Sequence, residues 1–264
     1  MDLKKICTEM EMIAAQAASF ITTEAGKYDS KRTQIKGQHD FVSYVDLGSE
    51  RILAEKLGKL IPEAGFLAEE GTSDKTGTEY CWIVDPLDGT TNFLHTLHPF
   101  SISIGLRKGK EIIAGVVHEI GGQEIFKAWK DGGAWLNGKR IRVSGTNKLS
   151  DSLIATGFPY SDFSRLKSYL LCMEYMMKNT HGVRRMGSAA FDLANVACGR
   201  YEGYFEYGLK IWDVAAGTIL IREAGGKVSD FTGEESEVTG MNIIASNNLI
   251  YNEFQKIVSN FMEN

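Results

Sequence analysis

No stretch of the 264-residue chain stays apolar over the ~18 residues that a bilayer-spanning helix needs, so no membrane span is expected. Runs of Lys and Arg never reach four residues, and the net charge is −5, so the electrostatic footprint of direct nucleic-acid binding is missing. An acidic balance does not by itself exclude an acidic substrate, because a bound cation can invert the local field. Cysteine is sparse and scattered: Cys7, Cys81, Cys172 and Cys198 form no C-x-x-C pair. That argues against a zinc site and a disulfide framework, and for free, mostly buried thiols in a reducing compartment. No secretory leader is expected, since Glu9 and Glu11 interrupt any apolar core near the N-terminus, and a cytoplasmic protein is the expectation. No repeat and no linker rich in Pro, Gly or Ser divides the chain.

What is present is a globular balance of 43% hydrophobic and 24% charged residues, in a chain long enough to bury a core without staples. Two halves sharing an interface are expected, 1–150 and 151–264. Leu3, Ile6, Met10, Ile13, Ala17 and Phe20 recur at helical spacing and predict a helix over 3–25. The polar, aperiodic residues 27–40 read as an exposed loop. A second helix spans 42–61 and is stopped by Pro62. Short apolar runs at 65–68 and 80–84 read as buried strands. Phe100, Ile102, Ile104 and Leu106 alternate with Ser101, Ser103, Gly105 and Arg107, the period of a strand. Strands follow at 111–119 and 123–129, with turns at Gly132-Gly133 and Asn137-Gly138. Beyond 150 the pattern predicts strands at 153–156, 201–206 and 242–246. It predicts helices at 163–178, 189–199 (capped by Ser188), 213–224 and 248–262. Elements that do not alternate strictly point to a layered α+β fold rather than a doubly wound sheet.

Carboxylates gather at the ends of these elements. Asp46 lies in the first turn of the second helix, Glu69-Glu70 follows one strand, Asp85-Pro86-Leu87-Asp88 follows another, and Asp213 opens a helix. Two acids at one buried strand end repel each other unless a cation lies between them, and Pro86 stiffens the turn. Hard oxygen donors with few histidines nearby suit Mg²⁺ rather than Zn²⁺. Gly89-Thr90-Thr91-Asn92 follows at once. The glycine lets the backbone approach closely, and the threonines bring hydroxyls and N–H groups to a helix start, which attracts phosphate. Metal ligands beside a phosphate cradle suit phosphoryl transfer. Taken singly, each segment also reads as a solvated turn or, for Asp213, as a residue that complements the helix dipole. Nothing orients His95 or His98 as a base.

Together, the strings WIVDPLDGTTNF (82–93), WDVAAGTILIREAGG (212–226), LAEEG (67–71) and DFVSYVD (40–46) resemble the inositol monophosphatase family in order and interval, over essentially the whole chain. The resemblance implies a layered α-β-α-β-α sugar-phosphatase fold, a homodimer, and a lithium-sensitive, Mg²⁺-dependent hydrolase of a small phosphorylated polyol. It implies that Glu69, Asp85, the Leu87 carbonyl, Asp88 and Asp213 ligate two or three Mg²⁺ ions, with the first member of Glu69-Glu70 as the ligand. Asp46 with Thr90 would orient and deprotonate the attacking water. Gly89, Thr90 and Thr91 would hold the phosphate. Asp88, Gly187, Ser188, Ala189, Glu206 and Asp213 would contact the polyol. Lys36, in the polar loop, matches a mobile-loop lysine near the third metal. Residues 1–150 would then carry most metal and phosphate ligands, and 151–264 the substrate contacts and the last metal ligand.

Some positions depart from the family pattern. Gly157-Phe158-Pro159 stands where animal members carry a substrate-contacting serine, and bacterial members resemble this chain instead. Ser188 replaces a frequent threonine. Both loosen the assignment to inositol 1-phosphate. Thr91 argues against the related 3′-phosphoadenosine 5′-phosphate phosphatases, which tend to carry lysine there. Fructose 1,6-bisphosphate, NADP and glycerol phosphates stay open as substrates. The alternative of another class is a regulatory protein that keeps the fold and binds a macromolecule. Intact carboxylates and an acidic net charge disfavour it.

Overall fold

The computed structural model describes residues 1–25, 34–37, 40–42, 44–71, 77, 79–235 and 241–263, for 34–37 and 40–42 the backbone only. In chain order the elements are α1 (Leu3–Ala25), β1 (Gln34–Gly37), β2 (Asp40–Val42), α2 (Tyr44–Leu60), β3 (Gly65–Ala68), β4 (Tyr80–Asp88), α3 (Thr90–Leu94), β5 (Ser101–Lys108), β6 (Glu111–Glu119), β7 (Glu124–Trp129), β8 (Gly133–Leu136), β9 (Lys139–Ile141), β10 (Leu153–Thr156), α4 (Leu166–Asn179), β11 (Gly182–Arg184), α5 (Ala189–Ala197), β12 (Gly203–Tyr207), α6 (Ile211–Glu223), β13 (Lys227–Ser229), β14 (Asn242–Ser246) and α7 (Tyr251–Met262). Strands β3 to β9 make one sheet in sequence order, antiparallel except for the β3–β4 pair. The second sheet has the order β11-β10-β12-β14-β13, with β10 parallel to both its neighbours and β14 antiparallel to both of its own.

The helices form three layers around these sheets. α1 and α2 cover one face of the first sheet, α5 and α6 fill the space between the two sheets, and α4 and α7 close the outer face of the second. This is the α-β-α-β-α arrangement. Burial explains the sequence of each layer. Every residue of α5 is buried, as is the run from Val214 to Ile221 in α6, because a helix covered on both sides has no use for a polar stripe. The outer α7 buries only Tyr251, Phe254, Val258 and Met262, one stripe at helical spacing. α6 comes close to the first sheet because Gly105 and Gly115 sit opposite each other on β5 and β6. A Cβ at these positions would lie 3.0 Å from Ala215 Cβ and 2.6 Å from Ile219 Cγ2 respectively.

Among the local expectations that differ from the structure are two in the region before β3. Within the segment read as a loop, β1 pairs antiparallel with β2; strands of three and four residues are too short to show an alternation. The second helix begins at Tyr44 rather than at 42. The four cysteines are free, with Cys7 and Cys172 buried. Among the described residues no helix is long and apolar enough to cross a membrane.

Candidate active site

Asp85-Pro86-Leu87-Asp88 forms the C-terminal end of β4. In a regular strand, residues three apart face opposite sides. Here Asp85 pairs with Ser103 and Asp88 with Ser101, so β4 holds one residue more than β5 between the pairs, a bulge at Pro86-Leu87. Proline suits a bulge because it has no N–H to withdraw from the ladder. The extra residue lets both carboxylates face one cleft, and Leu87 N–H donates to Asp85 Oδ1 at 2.9 Å across the turn. Glu69 arrives from the parallel neighbour β3, with its N–H on the Val84 carbonyl at 3.2 Å. Asp213 arrives from the first turn of α6, where Lys210 N–H donates to its Oδ2 at 2.6 Å.

Glu69, Asp85, Asp88 and Asp213 line an open cleft of about 340 Å³ together with Leu87, Gly89, Thr90, Thr91, Gly187, Ser188, Ala189 and Glu206. Every site residue anticipated from the sequence is thus on this wall except Asp46 and Lys36. Asp46 is fully buried behind Thr90, whose Oγ1 lies 3.0 Å from Asp46 Oδ1 and 3.0 Å from the Leu87 carbonyl and can donate to either. Lys36 belongs to β1, and its side chain lies outside the described residues. Glu70 is not on the wall: its N–H donates to Glu50 Oε2 at 2.7 Å. Ser49 Oγ donates to the Pro86 carbonyl at 2.9 Å. One face of α2 (Asp46, Ser49, Glu50) therefore ties down three segments that reach the cleft.

The phosphate-cradle segment follows the bulge. Gly89 has φ +90°, a left-handed conformation that glycine adopts without strain, and a Cβ there would lie 3.0 Å from the Gly187 carbonyl. The turn brings the first N–H groups of α3, which have no partner within the helix, to the cleft. Asn92 Nδ2 donates to the carbonyls of Pro99 at 2.7 Å and Met186 at 2.8 Å, drawing the Gly187-Ser188 segment against α3. Ser188 holds the N-cap position of α5, as expected, but its hydroxyl does not cap the helix. It donates to Asp88 Oδ2 at 2.6 Å, and the same oxygen accepts from Ala190 N–H at 2.8 Å. Asp88 itself does the capping, from another part of the chain. Glu206 accepts a hydrogen bond from the Tyr204 hydroxyl and rests on Gly157, where a Cβ would lie 2.0 Å from its Oε1. A side chain at 157 would have to displace the Glu206 carboxyl.

Acids packed this closely resist ionising. Asp85 is held well above the usual carboxylate range by burial first, then by the charges of Glu69, Asp88 and Asp213. Burial also raises Asp88, against the pull of its Ser188 and Ala190 hydrogen bonds. Burial and then the Asp88 charge push Asp213 up to about 7, and burial pushes Glu206 up to about 8. A carboxyl raised in the folded state stabilises the fold at low pH, and that contribution is lost as pH rises through its folded value. The cation-free protein is therefore expected to lose thermal stability from the ordinary range of 3.8–4.5 upward, through about 7 and about 8. Mg²⁺ should flatten the slope. Melting curves in chelator and in Mg²⁺ across that range test this, and a flat chelator profile would refute the crowding.

The donor set fits a hard divalent cation. Among the described residues six acids line the cleft (Glu69, Asp85, Asp88, Asp192, Glu206, Asp213) against Arg185 and Lys210. Among the described residues no three Asp, Glu, His or Cys side chains gather round one point as a closed cage. Mg²⁺ does not need one: it takes one or two carboxylates and keeps waters and phosphate oxygens for the rest of its shell. His98 is exposed and off the wall, with Nδ1 3.7 Å from Glu119 Oε1. Among the wall residues that sequence reasoning missed are Tyr160, Arg185, Asp192 and Lys210. For Asp192 a signal existed, since it lies four positions after Ser188 and so on the same helix face.

A sequence model of the inositol monophosphatase family matches residues 2–262. An inositol-1-monophosphatase from Mesorhizobium japonicum is 40% identical over 250 residues, 94% of each chain. The Nus factor SuhB of Escherichia coli K12 is 40% identical over 236 residues, 89% of this chain and 88% of that one. The crystal structure of the extragenic suppressor protein suhB from Bartonella henselae superposes with a TM-score of 0.90 at 38% identity, covering 96% of this chain and 98% of that one.

Proposed function

Because the chain belongs to the inositol monophosphatase family, we propose that it is a Mg²⁺-dependent phosphomonoester hydrolase acting on a small phosphorylated polyol, myo-inositol 1-phosphate first. The observation that carries this reading is the sharing of one cleft by four crowded carboxylates and the start of α3. Asp85, Asp88, Glu69, Asp213 and the Leu87 carbonyl would hold two or three Mg²⁺ ions. When bound, these cations would acidify water and neutralise the charge on the phosphoryl oxygens. The chain does the rest. N–H and hydroxyl groups of Gly89, Thr90 and Thr91 would hold the phosphate. Thr90, donating its proton to Asp46, keeps its lone pairs free for a proton of the attacking water, so that Asp46 works through Thr90 as the base. Hydroxyls of the polyol would meet Asp88, Gly187, Ser188, Ala189, Glu206 and Asp213. A homodimer, a cytoplasmic location and inhibition by Li⁺ belong to the same reading.

The test is phosphate release with Mg²⁺ across a panel of inositol 1-phosphate, fructose 1,6-bisphosphate, NADP, glycerol phosphates and an aryl phosphate. Inositol 1-phosphate is expected to show the highest kcat/KM. Preference for another member would keep the chemistry and move the substrate; no turnover on any would end the reading. A second reading is favoured by the name that several relatives share, Nus factor SuhB. On it, this chain would work by binding a macromolecule while retaining the fold. Capture of a partner from lysate by a chain with no turnover would support that reading over the first.

A further inference from the structure

Strand β5 carries a row of small buried residues on one face, Ser101, Ser103 and Gly105. Gly105 makes room for Ala215 of α6. The two serines do more. Ser103 is the register partner of Asp85 and Ser101 that of Asp88, on either side of the bulge in β4. Residues directly opposite in an antiparallel pair share a face, so each serine stands beside a cleft acid. Each also reaches the start of a helix from the second half of the chain. Ser101 Oγ lies 3.0 Å from the hydroxyl of Ser188, the N-cap residue of α5, which in turn donates to Asp88. Ser103 Oγ donates at 3.0 Å to the carbonyl of Trp212 in α6, one residue before Asp213.

Packing does not call for a hydroxyl at 103. Alanine would fill nearly the same space and leave no buried polar atom to satisfy. The helix does not call for it either, because a carbonyl at the start of a helix accepts from an N–H one turn on. What the hydroxyl adds is a fixed spacing between two acids that arrive on different elements, Asp85 on β4 and Asp213 on α6, whose carboxyls come within hydrogen-bonding reach of each other. We propose that Ser103 is a positioning residue: by holding the Trp212 carbonyl it sets Asp213 against Asp85, and so sets the affinity of the cleft for its divalent cation. Groups that orient metal ligands from behind tune affinity in this way. The inference rests on the reading of the cleft as a cation site and adds to it a residue that touches neither cation nor substrate.

The test follows the binding of Mg²⁺ alone, with no substrate present. Calorimetry measures it directly, and the rise of melting temperature with Mg²⁺ concentration reports it by mass action. Wild type is compared with Ser103→Ala and Ser246→Ala. Ser246 is an equally buried serine off the cleft wall, whose hydroxyl donates to the Asn247 carbonyl at 2.9 Å. It controls for the loss of any one buried hydrogen bond. Ser103→Ala is expected to bind Mg²⁺ about 10-fold more weakly, the low end of the scale for such supporting groups. In chelator both variants should melt no more than about 4 °C below wild type, the cost of one hydrogen bond in a chain of this size. Ser246→Ala should bind Mg²⁺ as wild type does. An unchanged affinity in Ser103→Ala overturns the proposal. So does an equal weakening in Ser246→Ala, which would make the effect a general one. A Ser103→Ala chain that does not fold, or melts far lower in chelator, also overturns it, because the hydroxyl would then belong to the scaffold. A wild type that binds no Mg²⁺ ends the cation reading itself, and shows this before any variant is compared.

Discussion

Exchanging Asp46 for asparagine is expected to lower kcat by about 10²–10⁴-fold while the fold survives, the usual scale for losing a general base. Asp46 is entirely buried and Thr90 Oγ1 stands 3.0 Å from its Oδ1, so that hydroxyl offers a proton from the cleft a route to it. Asparagine has the same shape, but its amide cannot take up a proton at neutral pH. The Thr90 hydroxyl can still donate to the Leu87 carbonyl at 3.0 Å, so the turn keeps a hydrogen bond. The flanking anchors from Ser49 and Glu50 to the cleft segments are untouched. Melting temperature should therefore move little while turnover collapses. A kcat within threefold of wild type, roughly 0.7 kcal/mol in the barrier, would leave Asp46 with a structural role only. A large drop in melting temperature alongside the kinetic loss would mean that the buried hydrogen bond, not the proton, was lost.

That Asp46 is buried could not be read from the sequence, where a first-turn acid looks like a solvated one. The same limit runs through the molecule. Elements long enough to show a period were legible: α1 by its stripe, β5 by its alternation, and the β8–β9 hairpin by Asn137-Gly138. Strands β1, β11 and β13, of three or four residues, carry no period and went unread. A layered α+β fold was legible from the order of the elements, but the five-layer α-β-α-β-α order only through resemblance. Its cause, helices α5 and α6 buried on both sides, erases the amphipathic signal that would have announced it. In the site, the acids were legible as strings. What was not legible is the bulge that aims Asp85 and Asp88 the same way, since it depends on the pairing of β4 with β5. Ser188 was read as a local cap because sequence shows only neighbours along the chain, whereas Asp88 reaches its helix from a hundred residues away.

Stripping divalent cations is expected to bring phosphate release to nothing measurable, and Mg²⁺ to restore it. The argument is one of charge. A phosphate monoester is close to a dianion at neutral pH. Among the described residues the cleft it must enter is walled by six acids, and of the two cations there Arg185 is already held by the Tyr160 hydroxyl and the rings of Phe158 and Tyr160. Without added cations those acids have two options. They stay protonated, as the upward shifts of Asp85 and Asp213 describe, and offer the ester O–H donors but no positive charge to balance its own. Or they ionise and repel it. Either way entry fails along with chemistry, so chelation should abolish the binding of inorganic phosphate, read by calorimetry, as well as turnover. Ca²⁺ should restore phosphate binding better than it restores activity. Its larger, more flexible shell balances the charge but misplaces the reacting water. Full turnover in excess chelator would sink the metal requirement. Phosphate binding that survives chelation would show that the N–H groups of α3 suffice to hold the anion, leaving the acids to serve the chemical step alone.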